Sequence, residues 1–168
     1  RMGNALQFRP REELIVSTKV GRLFTAPADP TAFARSERAW PMGLHFEHHH
    51  DYTEAGILRA YEDSLQRLGL NRIDVLVVHD LDLGNLGSKE RVAAHFAQLA
   101  TSGWRALEQL KKAGLVKAVG AGVNALGTIP RFLDLVDPDF FLVALPYTLA
   151  EQPALDTEFP ACEKRGVG

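Results

Sequence analysis

The segment RIDVLVVHDLD, Arg72 to Asp82, ends a run of Val and Leu in His79, Asp80 and Asp82. A strand that only fills a core has no use for that ending, whereas a strand that delivers a side chain to a site does. Three further apolar runs close in a similar way: STKVG carries Lys19, AVGAGVN reaches Asn124, and FFLVALPYT reaches Tyr147. A lysine ammonium lowers the pKa of a nearby acid, a neutral imidazole orients a carbonyl or hydroxyl, and an asparagine amide both donates and accepts. As a set they suit proton handling beside a bound cofactor or carbonyl. Singly, each has a plainer reading: a solvated strand end for Lys19, a satisfied core imidazole for His79, a turn residue for Asn124, and a rim residue for Tyr147. Their place at successive strand ends outweighs any one of them, because parallel strands all point the same way.

The elements that must position them follow from periodicity. ELIVSTKVG, RIDVLVVHD, LVKAVGAG and DFFLVALPYT read as buried strands. A helix capped by Thr53 carries Ile57, Leu58, Tyr61, Leu65 and Leu68 at helical spacing and stops at Gly69. A second helix is expected from Lys89. A third, capped by Ser102, shows Trp104, Leu107 and Leu110 on one face, with Lys111 and Lys112 near its C-terminus, and ends at Gly114. A short helix begins near Thr128 with Pro130 in its first turn, and a last one runs from Pro153 to Lys164 with Pro160 interrupting it. Residues 22–50, with Pro27, Pro30 and Pro41, read as one long irregular βα loop. Apolar runs that do not alternate suggest parallel strands covered on both faces. The class is α/β, and both a doubly wound sheet and a β/α barrel fit the rhythm.

At 168 residues and 46% hydrophobic, one domain over 1–168 with a real core is expected. The formal charge of -2 excludes an electrostatic case for nucleic acid or an acidic membrane surface. Cys162 is the single cysteine, so no intrachain disulfide forms; this suits a reducing compartment, and a cytoplasmic location is expected. No run is long and apolar enough for a membrane helix, and RMGNALQFRPREE has no apolar core of a signal peptide.

Three other patterns compete for attention. GAGVNA, Gly120 to Ala125, fits the short dinucleotide fingerprint, but Asp139 precedes the next strand where the fingerprint wants an acid after it. FEHHHD holds metal-capable types, yet they are contiguous and read as a polar loop tip. Asp51 and Tyr52 precede a helix, where Tyr52 packs or caps, and Cys162 has no base beside it to make it a nucleophile.

The segments STKVG, YEDSLQRLGLNRIDVLVVHDLD, ALEQLKKAGLVKAVGAGVN and YTLAEQPAL, in that order, resemble the aldo-keto reductase family. KVGRL, HDLD and GAGVN are similar to its sugar 1-dehydrogenase branch. The resemblance implies part of a (β/α)8 barrel, strands three to six, and NAD or NADP as cofactor with no metal. It implies hydride transfer between NAD(P) and the anomeric carbon of an aldose, or a related aldehyde or alcohol. Lys19 and His79 match the family's catalytic lysine and histidine, Asn124 matches the residue that holds the nicotinamide carboxamide, and Tyr147 falls near the cofactor. Val123 stands where many members have Ser, and Ala144 where many have Gln. The family's catalytic Asp and Tyr belong to a segment that this sequence does not contain. The chain is therefore expected to be a central fragment with little activity by itself. A non-enzymatic, cofactor-sensing relative is the alternative the resemblance allows.

Overall fold

The apolar runs form one parallel sheet in the computed structural model, which describes residues 2–29, 46–144 and 147–168. Its strands are β1 (Ser17–Val20), β4 (Val75–Val78), β5 (Ala118–Val123) and β6 (Phe140–Val143), in the spatial order β1-β4-β5-β6. All three pairings are parallel, with Lys19 opposite Val77, Val77 opposite Gly120, and Gly120 opposite Phe140. Strand order follows chain order without reversal. That is the arrangement of a β/α barrel; a doubly wound sheet reverses at a switch point.

Residues 22–50 are not irregular throughout. Arg22–Thr25 (β2) and Glu47–His50 (β3) pair antiparallel as a second, two-stranded sheet. The β-branched and aromatic residues of RLFT and the ring-rich EHHH provide the cross-strand contacts, including Phe24 against Phe46 at 6.2 Å. Pro30 and Pro41 lie outside the described residues. A short helix, α1 (Met2–Leu6), precedes the sheet, and no periodic pattern announces it.

Helix α2 (Glu54–Leu68) begins where Thr53 accepts from the Gly56 N–H at 3.3 Å and ends at Gly69, whose φ of 63° is left-handed. Its buried stripe is Ile57, Ala60, Tyr61 and Ser64, with Leu58 turned outward. After β4 come α3 (Leu83–Leu86), α4 (Lys89–Gln98) and α5 (Trp104–Lys112). Ser102 does not cap α5. The helix runs on from α4 through a π-turn at Leu99–Gly103, so α5 has no free N-terminus to cap. The Ser102 hydroxyl instead accepts from the Glu54 N–H at 3.2 Å, at the start of α2. Gly103 is what allows this approach, because a Cβ there would lie 2.0 Å from the Tyr52 carbonyl oxygen.

Helix α6 (Thr128–Leu135) follows β5, and α7 (Glu158–Arg165) follows β6. Pro160 does not interrupt α7. It occupies the first turn, where a missing N–H costs no intrahelical bond. The buried Glu158 carboxylate accepts from the N–H groups of Gly127 and Ile129 and so caps α6 from a neighbouring helix.

One contiguous core joins the helix-facing residues Leu76, Val78, Val119, Ala121 and Phe141 to Ile57, Phe96, Leu107 and Phe132. At the amino ends of the strands, Asp74 is fully buried. It accepts from Val16 N–H at 2.9 Å and Arg11 at 2.6 Å, with Arg72 and Lys117 beyond. Burial pushes its pKa up, but the Val16 N–H and the cations overcome this and hold it below the usual carboxylate range. No helix among the described residues is long and apolar enough to cross a membrane.

Candidate active site

The carboxyl ends of β1, β4 and β5 bring Lys19, His79 and Asn124 to one rim of the sheet. Lys19 lies opposite Val77, two residues before His79, so side-chain alternation places both on the same face. The Lys19 ammonium meets the Asp80 carboxylate at 3.1 Å, with the lysine side chain 38% exposed and the aspartate side chain 11%. Asp82 is spent differently: it accepts from the Asn85 N–H at 2.9 Å and caps α3. Asn124 follows β5 directly and is half-buried.

His79 is held at both backbone groups. Its N–H donates to Val20 at 2.9 Å, and its carbonyl, past the end of the β4 ladder, accepts from the Tyr52 hydroxyl at 3.1 Å. The residue is 7% exposed, and its Nδ1 is buried without a hydrogen-bond partner. Burial, then the nearby Arg22 charge, lowers its pKa to about 4 against the opposing pull of Asp80. At neutral pH His79 is therefore an uncharged imidazole, suited to orienting an oxygen.

The three adjacent histidines are not a loop tip. They lie on β3, where His48 and His49 are exposed and His50, the last residue of the strand, is half-buried. Its ring is parallel to Tyr52 with centroids 6.2 Å apart, 6.0 Å from His95 and 6.4 Å from His79. Burial, then His48 and His95, lowers the His50 pKa to about 4. Gln98 joins this cluster to the backbone, meeting His95 Nδ1 at 2.8 Å and accepting from the Tyr52 N–H at 3.3 Å. Among the described residues, no three His, Cys, Asp or Glu side chains are arranged to hold a metal.

Tyr52 packs, as its position before a helix suggested, but it packs onto the site. It is fully buried, its ring fills the space over Gly21, and burial raises its pKa well beyond the usual phenol range. Gly21 has a φ of 93°, and a Cβ would lie 2.3 Å from the Tyr52 ring. Tyr147 stands apart. It is 45% exposed and its ring packs edge-on against Phe159 of α7 at 5.0 Å.

The glycines of GAGVNA serve packing in place of a phosphate loop. A Cβ on Gly120 would lie 2.5 Å from the Phe140 carbonyl oxygen and 2.7 Å from its ring. A Cβ on Gly122 would lie 2.6 Å from Asp80 Oδ1 and 2.9 Å from Lys19 Nζ. Both glycines also fall inside β5, where a dinucleotide fingerprint needs a turn. Sequence reasoning noted Asp80 at the strand end without giving it a partner, read His50 as part of a polar loop tip, and did not consider His95. Parallel register gave no signal for Asp80, since alternation after His79 would turn it to the other face; it meets Lys19 because it lies past the end of β4. Nothing local marked His95.

A sequentially ordered parallel sheet with lysine, histidine and asparagine at its carboxyl rim defines a β/α-barrel protein with a polar site at the top of the strands. Residues 2–168 match the aldo/keto reductase family, and the chain belongs to that family. It is 37% identical to pyridoxal 4-dehydrogenase of Microbacterium luteolum, over 99% of this chain and 50% of that protein. It is 36% identical to D-threo-aldose 1-dehydrogenase of a Pseudomonas species, over 100% of this chain and 48% of that protein. The fold is similar to that of an aldo-keto reductase from Bacillus halodurans in its holo form, with a TM-score of 0.65 and 22% identity, over 99% of this chain and 45% of that one. The chain spans about half the length of the curated relatives it matches, and its sheet is part of a barrel.

Proposed function

We propose that this chain forms the central part of an NAD(P)-dependent oxidoreductase acting on the anomeric carbon of an aldose, or on a related aldehyde or alcohol. The observation that carries the reading is the placing of Lys19 and His79 on adjoining parallel strands of a chain that belongs to the aldo/keto reductase family. The dehydrogenase names of its relatives support the substrate class.

The residues fit a nicotinamide cofactor. The Asn124 amide offers both a donor and an acceptor for a carboxamide, and the Nδ1 of His79 is a buried polar atom still without a partner. When bound, the cofactor accepts or supplies the hydride. Asn124 would hold its carboxamide; Tyr147, whose ring packs on Phe159 of α7, is assigned to the cofactor by the family resemblance alone. Lys19 would stabilise the ionised form of a proton-transferring tyrosine contributed by another segment of the barrel. His79, uncharged, would orient the reacting oxygen of the sugar. Lys19 and His79 position and polarise; neither replaces the tyrosine, whose absence costs about 10²–10⁴-fold.

The test is steady-state oxidation of a panel of aldoses by the whole protein with NAD+ and NADP+, alongside Lys19→Met and His79→Asn. The expected result is turnover that both variants lose by about 10²-fold or more while cofactor binding persists. Equal turnover in wild type and Lys19→Met would refute the site. The 168-residue chain alone is expected to turn over no aldose.

A further inference from the structure

The carboxylate that faces Lys19 in this chain is Asp80. We propose that Asp80 is a positioning residue that holds the Lys19 ammonium at the rim of the barrel, and that Gly122 is glycine to make room for the pair. The proposal rests on the oxidoreductase reading above for the purpose of the lysine, but the pairing itself does not.

Three strands converge on this contact. Lys19 rises from β1, Asp80 follows His79 at the end of β4, and Gly122 lies on the inner side of β5 beneath both. Asp80 is 8% exposed, and its hydrogen bond is to Lys19 at 3.1 Å. A carboxylate this buried is costly unless it is paired. The contrast with its neighbour is informative. Asp82, two residues on, is equally buried at 6% but is engaged by the N-terminus of α3. Asp80 has no helix to cap, so its place is explained by the lysine.

A lysine carries four rotatable bonds and loses about 2 kcal/mol of rotamer entropy when fixed. A free ammonium at 38% side-chain exposure would sweep through the rim. The bond to Asp80 limits that sweep and leaves two of the three ammonium donors for a partner on the open side. Because Asp80 adjoins His79 in the chain, one strand end sets both groups: displacement of β4 moves the imidazole and the lysine together. Gly122 closes the arrangement. An added Cβ would meet the far ends of both side chains, at 2.6 and 2.9 Å, so it would push them apart without colliding with backbone.

The experiment has two arms. In the first, lysines of the 168-residue chain are acetylated competitively at neutral pH and quantified by mass spectrometry. Lys111, 40% exposed and paired with Asp139, serves as internal standard. Asp80→Asn and Gly122→Ala should each raise the Lys19-to-Lys111 labelling ratio by about two- to fivefold, the scale of a partly exposed ion pair. A ratio unchanged in both variants overturns the pairing. In the second, Asp80→Asn and Asp80→Glu are introduced into the whole protein. Loss of roughly 10- to 100-fold in kcat with KM held, and partial recovery in Asp80→Glu, is the expected signature of misplaced proton-transfer machinery. A raised labelling ratio with kcat unchanged overturns the positioning role. Were the wild-type protein to oxidise no aldose, the functional reading would fail, while the labelling ratio would still decide whether Asp80 holds Lys19.

Discussion

Tyr52→Phe removes one oxygen atom and tests how His79 is fixed. The hydroxyl donates to the His79 carbonyl at 3.1 Å, inside a residue that is fully buried. That carbonyl lies one residue beyond β4 and so past the ladder that pairs β4 with β5. Losing the donor leaves a buried acceptor without its partner, which costs about 1–3 kcal/mol. The ring, which fills the space over Gly21, is retained, so no cavity term is added. Tyr52→Ala removes the ring as well and should cost about 3–5 kcal/mol. Urea denaturation of the 168-residue chain followed by far-UV circular dichroism gives both numbers. The expected order is wild type, then Phe, then Ala, with the slopes unchanged. If Tyr52→Phe falls within about 0.5 kcal/mol of wild type while Tyr52→Ala is strongly destabilised, the hydroxyl is not what secures the His79 backbone and the account of the rim is wrong.

Three further outcomes follow from the same structure. His50 and His79 have pKa values of about 4 in the fold, against about 6.5 for an unfolded imidazole. Between those limits the unfolded chain binds more protons, so stability is fully present above about pH 6.5 and is lost as pH falls toward 4. The double variant His50→Asn, His79→Asn should flatten that dependence by up to about two protons, read from urea midpoints across the window; an identical slope would contradict it. Gly103→Ala places a methyl 2.0 Å from the Tyr52 carbonyl oxygen and should destabilise by about 2–4 kcal/mol in the same assay, since backbone must move. Asp74→Asn, which removes the buried carboxylate that Arg11 pairs with and leaves Arg11 only the Leu14 and Arg72 carbonyls, should lower stability by about 3 kcal/mol; a change under about 1 kcal/mol would show that the ion pair contributes little.

The strands and their common direction were legible because apolar runs buried on both faces need no tertiary information to announce themselves. Thr53 and Gly69 marked helix ends correctly for the same reason: their effects act within a turn of chain. Ser102 failed because its bonding partner, Glu54, is 48 residues away in sequence and the helix continued through a π-turn. The β2–β3 hairpin was missed because its strands are four residues each and are separated by a proline-bearing stretch that masks their alternation. In the site, Lys19, His79 and Asn124 were readable as strand ends. Their environment was not, because Asp80 pairs across strands and His95 arrives from α4, contacts that only the register and helix packing create.

The two ends of the sheet carry different chemistry. At the amino ends, Asp74 brings a backbone N–H and three cations onto one buried carboxylate, with Asp74 Oδ1 and Arg11 Nε making no hydrogen bond of their own. At the carboxyl ends, Nδ1 of His79 and Nε2 of His50 are buried without partners, and Lys19 keeps part of its ammonium toward solvent. The difference between the ends is one of chemistry: imidazoles and a half-exposed lysine stand at the end where barrel proteins place their sites. It also separates the two ends by experiment. A substitution at Asp74 should act on the unfolding midpoint and leave kcat alone once the protein is folded. A substitution at Lys19 should act on kcat and leave the midpoint nearly alone, because its one ion pair is partly exposed and contributes about 0–1 kcal/mol.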